Sequence, residues 1–297
     1  MTQYAQTQTT VSEYSELSIL QRTDKRDIAY VVYGIVILLM VVCAYLMAIF
    51  GWLPHDPEEM QLELMLAGPG APGHLLGTDF MGRDTLPRLI LVIKAYFVPG
   101  LMYIAVAILL GGIFGILSGY YGNKYETVVT YITNIIDSFP RLILMLLVVA
   151  AFKPDIYYIM MVLGVTNAPL VSQLIKGKIS MLRQKNFVES AIALGIPDAR
   201  IIFKHILWFN CRSYLIIQAT LGMGEAILLE SALSYLGFGV QEPTPSWGNM
   251  VQQGANYLLQ GQLWSSTIPA MAIMFTVLGF YLLGDGLNNM LEGKRQS

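Results

Sequence analysis

The chain has 297 residues, of which 55% are apolar and only 13% are charged, about half the roughly 25% charged fraction of a soluble domain. Its formal net charge of −2 gives no reason to expect nucleic acid or another phosphate-rich partner. Two cysteines exclude a disulfide framework, and three scattered histidines predict no cluster of metal ligands.

Long apolar blocks predict six membrane-spanning helices, since about 20 apolar residues cross a bilayer as a helix. The first helix is expected at 29–53, after an N-terminal tail of residues 1–28. An external loop at 54–94 leads to a five-helix core at 95–288 and a C-terminal tail at 289–297. The core helices are expected near 97–119, 127–152, 156–175, 213–236 and 265–287. The predicted fold class is an all-α integral membrane protein.

Glycine and proline residues predict local features of the second and fourth spans. The glycines of GGIFG and SGYYG in the second span predict close helix packing and then an exit turn. The fourth span is expected to be short and broken at Gly164 and Pro169.

The basic residues predict the orientation. With six spans both termini share one side, and that side carries thirteen Lys and Arg residues against four on the opposite side. The loops on the two sides have similar total lengths, so the difference is not an effect of length. The positive-inside rule therefore places both termini in the cytoplasm.

The external loop contains the stretch HLLGTDFMGRDTLPRL. Asp79 with Arg83, and Asp84 with Arg88, have the four-residue spacing of helical ion pairs. This pattern predicts a surface helix at the membrane boundary.

The cytoplasmic loop at 176–212, between spans four and five, predicts a helical hairpin. Phe187, Ala191 and Leu194 fall on one helical face, Gly195 suits a left-handed helix end, and Pro197 suits the first turn of a second helix. Such a hairpin either lies along the inner leaflet or docks into a groove of another protein. Composition alone leaves both explanations open.

Three motifs in this chain resemble one family. Glu189, Ser190, Ala191 and Gly195 have the spacing of the EAA motif of permease subunits of bacterial ATP-binding cassette importers, although Trp208 stands at the usual proline. GTDFMGRDTLPR is similar to the GTDxxGRDxxSR signature of the peptide and nickel permease group, with Pro87 for the serine. ESALSYLGFGVQEPTPSWGNM and GDGL resemble the same group's segment after span five and the end of its last helix.

The resemblance covers roughly residues 75–290 and implies a permease, most often for oligopeptides, with dipeptides or nickel as alternatives. The chain contains no G-x-x-x-x-G-K-[ST] phosphate loop, so ATP and Mg²⁺ are expected on partner ATPase subunits, with no cofactor bound here. The implied partners are a homologous second permease in a heterodimer, two ATPases, an extracytoplasmic substrate-binding protein and membrane lipid. The implied location is the bacterial cytoplasmic membrane.

In this family the hairpin couples the permease to the ATPase. We expect the segment from Phe187 to Ile206 to insert into a groove of the ATPase, whose closure then moves spans four and five. The expected coupling residues are Phe187, Glu189, Ser190, Ala191, Leu194, Gly195, Ile196, Pro197, Arg200 and Ile206.

Four charged side chains within predicted spans are candidates for the translocation path: Asp137, Arg141, Glu225 and Glu230. An unpaired charge at mid-bilayer costs about 2.5–3.5 kcal/mol on insertion scales, so Asp137 is expected to pair with Arg141 along one helix. The two glutamates are five residues apart and diverge by about 140° around a helix. These groups either line the path or bond across helices to fix the bundle.

An ion-coupled secondary transporter is the alternative function, with the intramembrane carboxylates as ion sites. This alternative function does not explain the predicted cytoplasmic hairpin. The sequence shows no nucleophile, metal cluster or acid–base pair at a useful spacing, so we expect no catalytic residue and no enzymatic activity.

Overall fold

The structure of the protein, a computed structural model, describes residue 26 and residues 28–152 and 155–296, with only the backbone for 291–296. The predicted N-terminal tail therefore lies almost wholly outside the described residues. Within these ranges the chain is helical and contains no β-strand beyond two isolated bridges.

The described residues form nine helices, joined by turns that include short 3₁₀ segments at Leu62–Leu64 and Leu258–Gln260. They are α1 Ile28–Phe50, α2 Thr85–Tyr121, α3 Asn123–Asp137, α4 Arg141–Ala151, α5 Ile156–Arg183, α6 Asn186–Ala193, α7 Asp198–Tyr235, α8 Trp247–Ala255 and α9 Trp264–Gln296.

The long helices have the dimensions of membrane spans. In the part of the chain that the structure describes, α1, α2, α5, α7 and α9 are each long and apolar enough to cross a bilayer. Helices α3 and α4 pass the same test only together, and they are bent by 76° at the break between them. The expectation of an all-α membrane protein is confirmed, with five helices of spanning length and one bent pair.

The bent pair corrects the predicted third span. The helix stops at Asp137, and Pro140 then stands immediately before α4 in an extended conformation. Proline lacks a backbone N–H and disfavours helical geometry in the residue before it. Asp137 and Arg141 therefore lie on two different helices, and the structure contains no ion pair between them.

Three other spans differ from their predicted limits. Helix α2 begins at Thr85, inside the predicted external loop, and α5 runs without interruption from Ile156 to Arg183. Gly164 and Pro169 do not break α5, because both are buried against neighbouring helices that accommodate them. Helix α9 continues to Gln296, through most of the predicted C-terminal tail.

Helices α2 and α5 form an extensive and close contact. Gly111, Gly115 and Gly119 recur every fourth residue, so they line one face of α2. A Cβ atom added at Gly115 would lie 2.7 Å from Cβ of Ile175, and one at Gly119 would lie 2.9 Å from the carbonyl oxygen of Lys176. The predicted close packing at these glycines is confirmed, and it follows the small-residue rule for helices in membranes.

The two helices run in the same direction and connect two ends of the bundle. We call residues 54–84 and 236–263 the cap, because they meet at the end where α2 starts. We call residues 184–197 the elbow, at the end where α5 finishes. Asn167 of α5 donates to the hydroxyl of Tyr103 of α2 over 2.6 Å between cap and elbow.

We predict that Gly115→Ala destabilises the protein by about 1–3 kcal/mol, the usual effect of overpacking a filled core. Gly112→Ala is the matched control, because a Cβ there would meet only Cδ1 of Ile175 at 4.0 Å. Thermal unfolding in detergent checks the pair. Equal unfolding temperatures for the two variants would contradict close packing at Gly115.

Candidate functional site

The elbow is a short helix closed by a glycine turn. Helix α6 ends at Ala193, and Gly195 follows with φ +69°. The N–H of Gly195 donates to the carbonyl of Ile192 over 2.9 Å, and the N–H of Ile196 donates to that of Ala191 over 3.1 Å. This pair of bonds is the Schellman motif, so the left-handed turn predicted at Gly195 is confirmed.

The two faces of the elbow have opposite environments. Val188, Ala191 and Ile206 are buried and pack with the chain's own core. Leu194 is 79% exposed, and Ile192 and Phe187 also face outward. The expectation that Ala191 shares a face with Phe187 and Leu194 is wrong, because Ala191 lies three residues after Val188 and joins its buried side.

The remaining predicted coupling residues lie mostly at the surface. Those that are exposed are Glu189, Ser190, Gly195, Pro197 and Arg200. Ile196 is partly buried against the core, and Ile206 is buried well inside α7. Most of the predicted coupling residues therefore form an outward surface. Ala191 and Ile206 instead face the core and hold the elbow in place.

The elbow is tied firmly to three long helices. The hydroxyl of Tyr120 at the end of α2 donates to the carboxylate of Asp198 at the start of α7, over 2.9 Å. The guanidinium of Arg183, the last residue of α5, lies 5.6 Å from the centre of the Tyr120 ring. Sequence reasoning missed Tyr120, because its partners are 63 and 78 residues away.

The second helix of the predicted hairpin is not a separate element. It is the first part of α7, which continues from Asp198 through a π-helical stretch at Ile201–Cys211 to Tyr235. A displacement of the elbow therefore acts directly on α5 at one side and on α7 at the other.

At the opposite end, a buried network of charges holds the cap together. Nε of Arg83 donates to Asp79 over 2.7 Å and its Nη1 to Glu242 over 3.0 Å. Nη2 of Arg88 donates to Glu242 over 3.0 Å. The two arginine side chains are only 3% and 1% exposed. Glu242 thus joins the segment after α7 to the start of α2.

This network corrects the predicted surface helix. The pair Asp79–Arg83 forms, but it lies in a turn before α2. Asp84 does not pair with Arg88, since its Oδ1 accepts the N–H of Leu86 and caps α2. Two of the stretches that carry the family resemblance, 77–88 and 230–250, meet through these contacts.

The charges of the cap shift the pKa of Glu242. Burial alone would raise the pKa of this carboxyl, but a hydrogen bond from Gln253 and the charges of Arg88 and Arg83 outweigh burial and lower it. Glu242 therefore remains ionised through the physiological range and neutralises the buried arginines.

A second cluster in the cap joins two histidines to Asp84. Nδ1 of His55 lies 2.7 Å, and Nδ1 of His74 lies 3.0 Å, from Oδ2 of Asp84. The expectation that the histidines are scattered is wrong for these two, because the loop between them folds back onto the start of α2. Spacing along the chain gave no signal of this arrangement.

The candidate path residues occupy three different environments. Asp137 is exposed at the end of α3. Arg141, at the start of α4, pairs with Glu225 of α7, and both side chains are partly exposed. Glu230 is fully buried and accepts a hydrogen bond of 2.5 Å from Ser234. The two glutamates diverge as predicted, and the partner of Arg141 is Glu225 in place of Asp137.

Helices α7, α8 and α9 also line an open apolar groove of about 570 Å³. Its lining is almost entirely aliphatic and aromatic, with Leu228, Met274 and Tyr281 among the larger side chains. Such a surface suits contact with lipid or with another apolar helix.

Comparison with known proteins identifies the family to which this chain belongs. Residues 111–296 match the family described as binding-protein-dependent transport system inner membrane component. The chain belongs to this family and is a multi-pass permease subunit of an ATP-binding cassette importer, which is not itself an enzyme. Membership implies a substrate-binding protein and ATPase subunits as partners.

The chain is also similar to individual permeases of known peptide transport systems. The chain is 35% identical over 257 residues to the probable D,D-dipeptide transport system permease protein DdpC of Escherichia coli (strain K12), covering 86% of this chain and 85% of that one. It is 35% identical over 266 residues to the dipeptide transport system permease protein DppC of Alkalihalophilus pseudofirmus, with coverages of 89% and 86%. It is 33% identical over 242 residues to the oligopeptide transport system permease protein OppC of Haemophilus influenzae, with coverages of 81% and 77%.

We predict that Glu242→Gln destabilises the protein by about 1.5–3 kcal/mol, because it removes one of the two carboxylates, Asp79 being the other, that neutralise the buried arginines. The ionised form of wild-type Glu242 contributes stability above the ordinary glutamate pKa of about 4.3. That contribution is lost as the pH falls through its lower folded-state pKa. Unfolding temperatures of the two proteins should therefore differ most near pH 7 and converge below about pH 4.

Glu126→Gln is the control for this prediction, since Glu126 forms a partly exposed pair with Lys176 over 2.7 Å. An exposed pair contributes about 0–1 kcal/mol. If both variants unfold at the same temperature, the cap network does not hold the protein together as described.

Proposed function

We propose that this chain forms half of the translocation path of an ATP-driven peptide importer and couples that path to ATPase subunits through the elbow. The observation that carries the proposal is an exposed apolar elbow whose ends continue into two membrane-spanning helices. A loop with no mechanical role needs neither the outward-facing Leu194 nor the contacts that fix Asp198 and Arg183 to Tyr120.

The proposed substrate class is peptides, since the named relatives transport dipeptides, D,D-dipeptides and oligopeptides. Oligopeptides are the first candidate, and dipeptides or nickel are the alternatives within the same family. Peptide length is not set by any of the described contacts, which is consistent with selection by the external binding protein.

The proposed orientation places the elbow in the cytoplasm and the cap outside, in the bacterial cytoplasmic membrane. The basic residues support it, because Lys176, Lys178, Arg183 and Lys185 all lie at the elbow end. ATP and Mg²⁺ then bind on the ATPase subunits, and the cap faces the protein that delivers substrate.

The proposed docking surface consists of Phe187, Ile192 and Leu194, flanked by Glu189 and Arg200. The three apolar side chains project from one short helix and its closing turn, as required for insertion into a groove. Ala191 and Ile206 act as positioning residues, since they face the chain's own core. Closure of the ATPase would move α6 and, with it, the ends of α5 and α7.

The proposed second half of the path is a homologous permease packed against the groove of α7, α8 and α9. A heterodimer would cover this apolar surface, which otherwise faces lipid. Asp137 and the pair Arg141–Glu225 stay candidates for the path, because their side chains reach the surface of this chain. Glu230 is better explained as a structural group bonded to Ser234.

We predict that Leu194→Glu lowers the amount of ATPase that co-purifies with the permease by more than tenfold, since it places a charge in an apolar contact. Peptide uptake in cells is expected to fall in parallel. Insertion of the chain should be unchanged, because the side chain of Leu194 is 79% exposed.

Leu259→Glu is the matched control, since Leu259 is a fully exposed leucine at the cap. It should leave ATPase association at the wild-type level, because Leu259 lies at the opposite end of the protein from the elbow. Normal ATPase association by the Leu194 variant would overturn the proposed docking surface.

A further inference from the structure

The cluster of His55, His74 and Asp84 has the chemistry of a metal site. One candidate ligand atom from each residue lies within 4.8 Å of the other two. Two imidazole nitrogens and one carboxylate oxygen form a donor set that suits a first-row transition metal such as Zn²⁺, whereas Mg²⁺ and Ca²⁺ prefer oxygen donors throughout.

The spacing of these atoms is close to that of a bound ion. Zinc bonds of 2.0–2.1 Å in tetrahedral geometry place neighbouring ligand atoms about 3.3 Å apart. The two distances from Nδ1 to Oδ2 are 2.7 Å and 3.0 Å. Because all three ligand atoms lie within 4.8 Å of one another, rotation of the side chains would bring them around an ion.

The ligands are held in place by the backbone around them. Oδ1 of Asp84 is fixed by the N–H of Leu86, which leaves Oδ2 for the cluster. The backbone N–H of His74 donates to Ala71 over 2.8 Å in a tight turn, and Thr78 pairs with Asp84 in an antiparallel bridge. Ligands that are positioned before the ion arrives bind it more tightly.

His55 is the most exposed of the three ligands, so an ion and a fourth ligand would reach the cluster from the side of His55. The side chains of His74 and Asp84 are about 5% and 3% exposed, while that of His55 is 34% exposed. An ion can reach the cluster past His55, and water can complete a four-coordinate shell there.

We propose that His55, His74 and Asp84 bind one divalent transition-metal ion of the zinc type in the cap. Both imidazoles bind as the neutral tautomer, with Nδ1 on the metal and the proton on Nε2, and Asp84 supplies the negative charge. The site is proposed for an ion that stays in the cap as part of the folded protein.

The ion would link two points of the cap, His55 and His74, to Asp84 at the start of α2. His55 is 29 residues and His74 is 10 residues from Asp84. Asp84 is followed directly by the helix that carries Arg88 of the charge network. Metal binding would therefore fix the folded loop relative to the outer end of the bundle.

The test is zinc binding by the full importer assembly, purified in detergent and stripped with EDTA. Titration calorimetry with Zn²⁺ compares the wild type with His55→Ala and Asp84→Asn, and Mg²⁺ serves as the negative probe. Asparagine keeps the cap of α2 but removes the charge. His205→Ala is the matched control, since the third histidine lies in α7 at the elbow end.

We expect the wild type and the His205 variant to bind one more Zn²⁺ per permease chain than the other two variants, or to bind it at least tenfold more tightly. Cobalt substitution gives a second measurement, with a tetrahedral visible spectrum lost in His55→Ala. Equal zinc binding by the wild type and His55→Ala would overturn the proposal. Because His55 is partly exposed, this variant is expected to assemble even if substitution of buried His74 prevents folding.

Discussion

The contact between α2 and α5 is the constraint on which the rest of this molecule depends. Val171 and Ile175 occupy the space that side chains would need at Gly111 and Gly115, so the two helices pack backbone to backbone and resist sliding. One of them starts at the cap through Asp84 and the other finishes at the elbow. The two ends of the protein are therefore joined by a rigid pair, which is what a subunit needs if force applied at one end is to change the other.

The cap and the elbow differ in the interactions that their side chains make. At the cap, Arg83 and Arg88 are almost fully buried, and the cost of removing their charges from water is offset by Glu242 and Asp79. At the elbow, apolar side chains are left in water and the surrounding contacts only fix their position. Buried charge pairs favour one arrangement over others, whereas exposed apolar groups lower their free energy by binding. The fold thus distinguishes a part that keeps its shape from the exposed part that we propose binds a partner.

Sequence reasoning succeeded where the signal is local. Long apolar blocks identified the membrane helices, and Gly195 identified the helix end, because hydrophobicity and φ preference act on neighbouring residues. It failed where partners are distant: Arg88 with Glu242 is separated by 154 residues and Arg141 with Glu225 by 84. The two prolines illustrate the limit of local signals. Pro140 lies at a break between two helices, whereas Pro169 lies inside the continuous helix α5. The difference arises from packing by other helices, which spacing along the chain does not contain.

We propose that this permease moves peptide only when ATP is hydrolysed by subunits docked at its elbow. The most direct measurement is peptide uptake by proteoliposomes that hold the complete importer, with binding protein and labelled oligopeptide outside and ATP inside. The account predicts accumulation above the external concentration with active ATPases, and none when those ATPases carry a substitution that abolishes hydrolysis, whatever proton or sodium gradient is imposed. Accumulation driven by an ion gradient with inactive ATPases would contradict it.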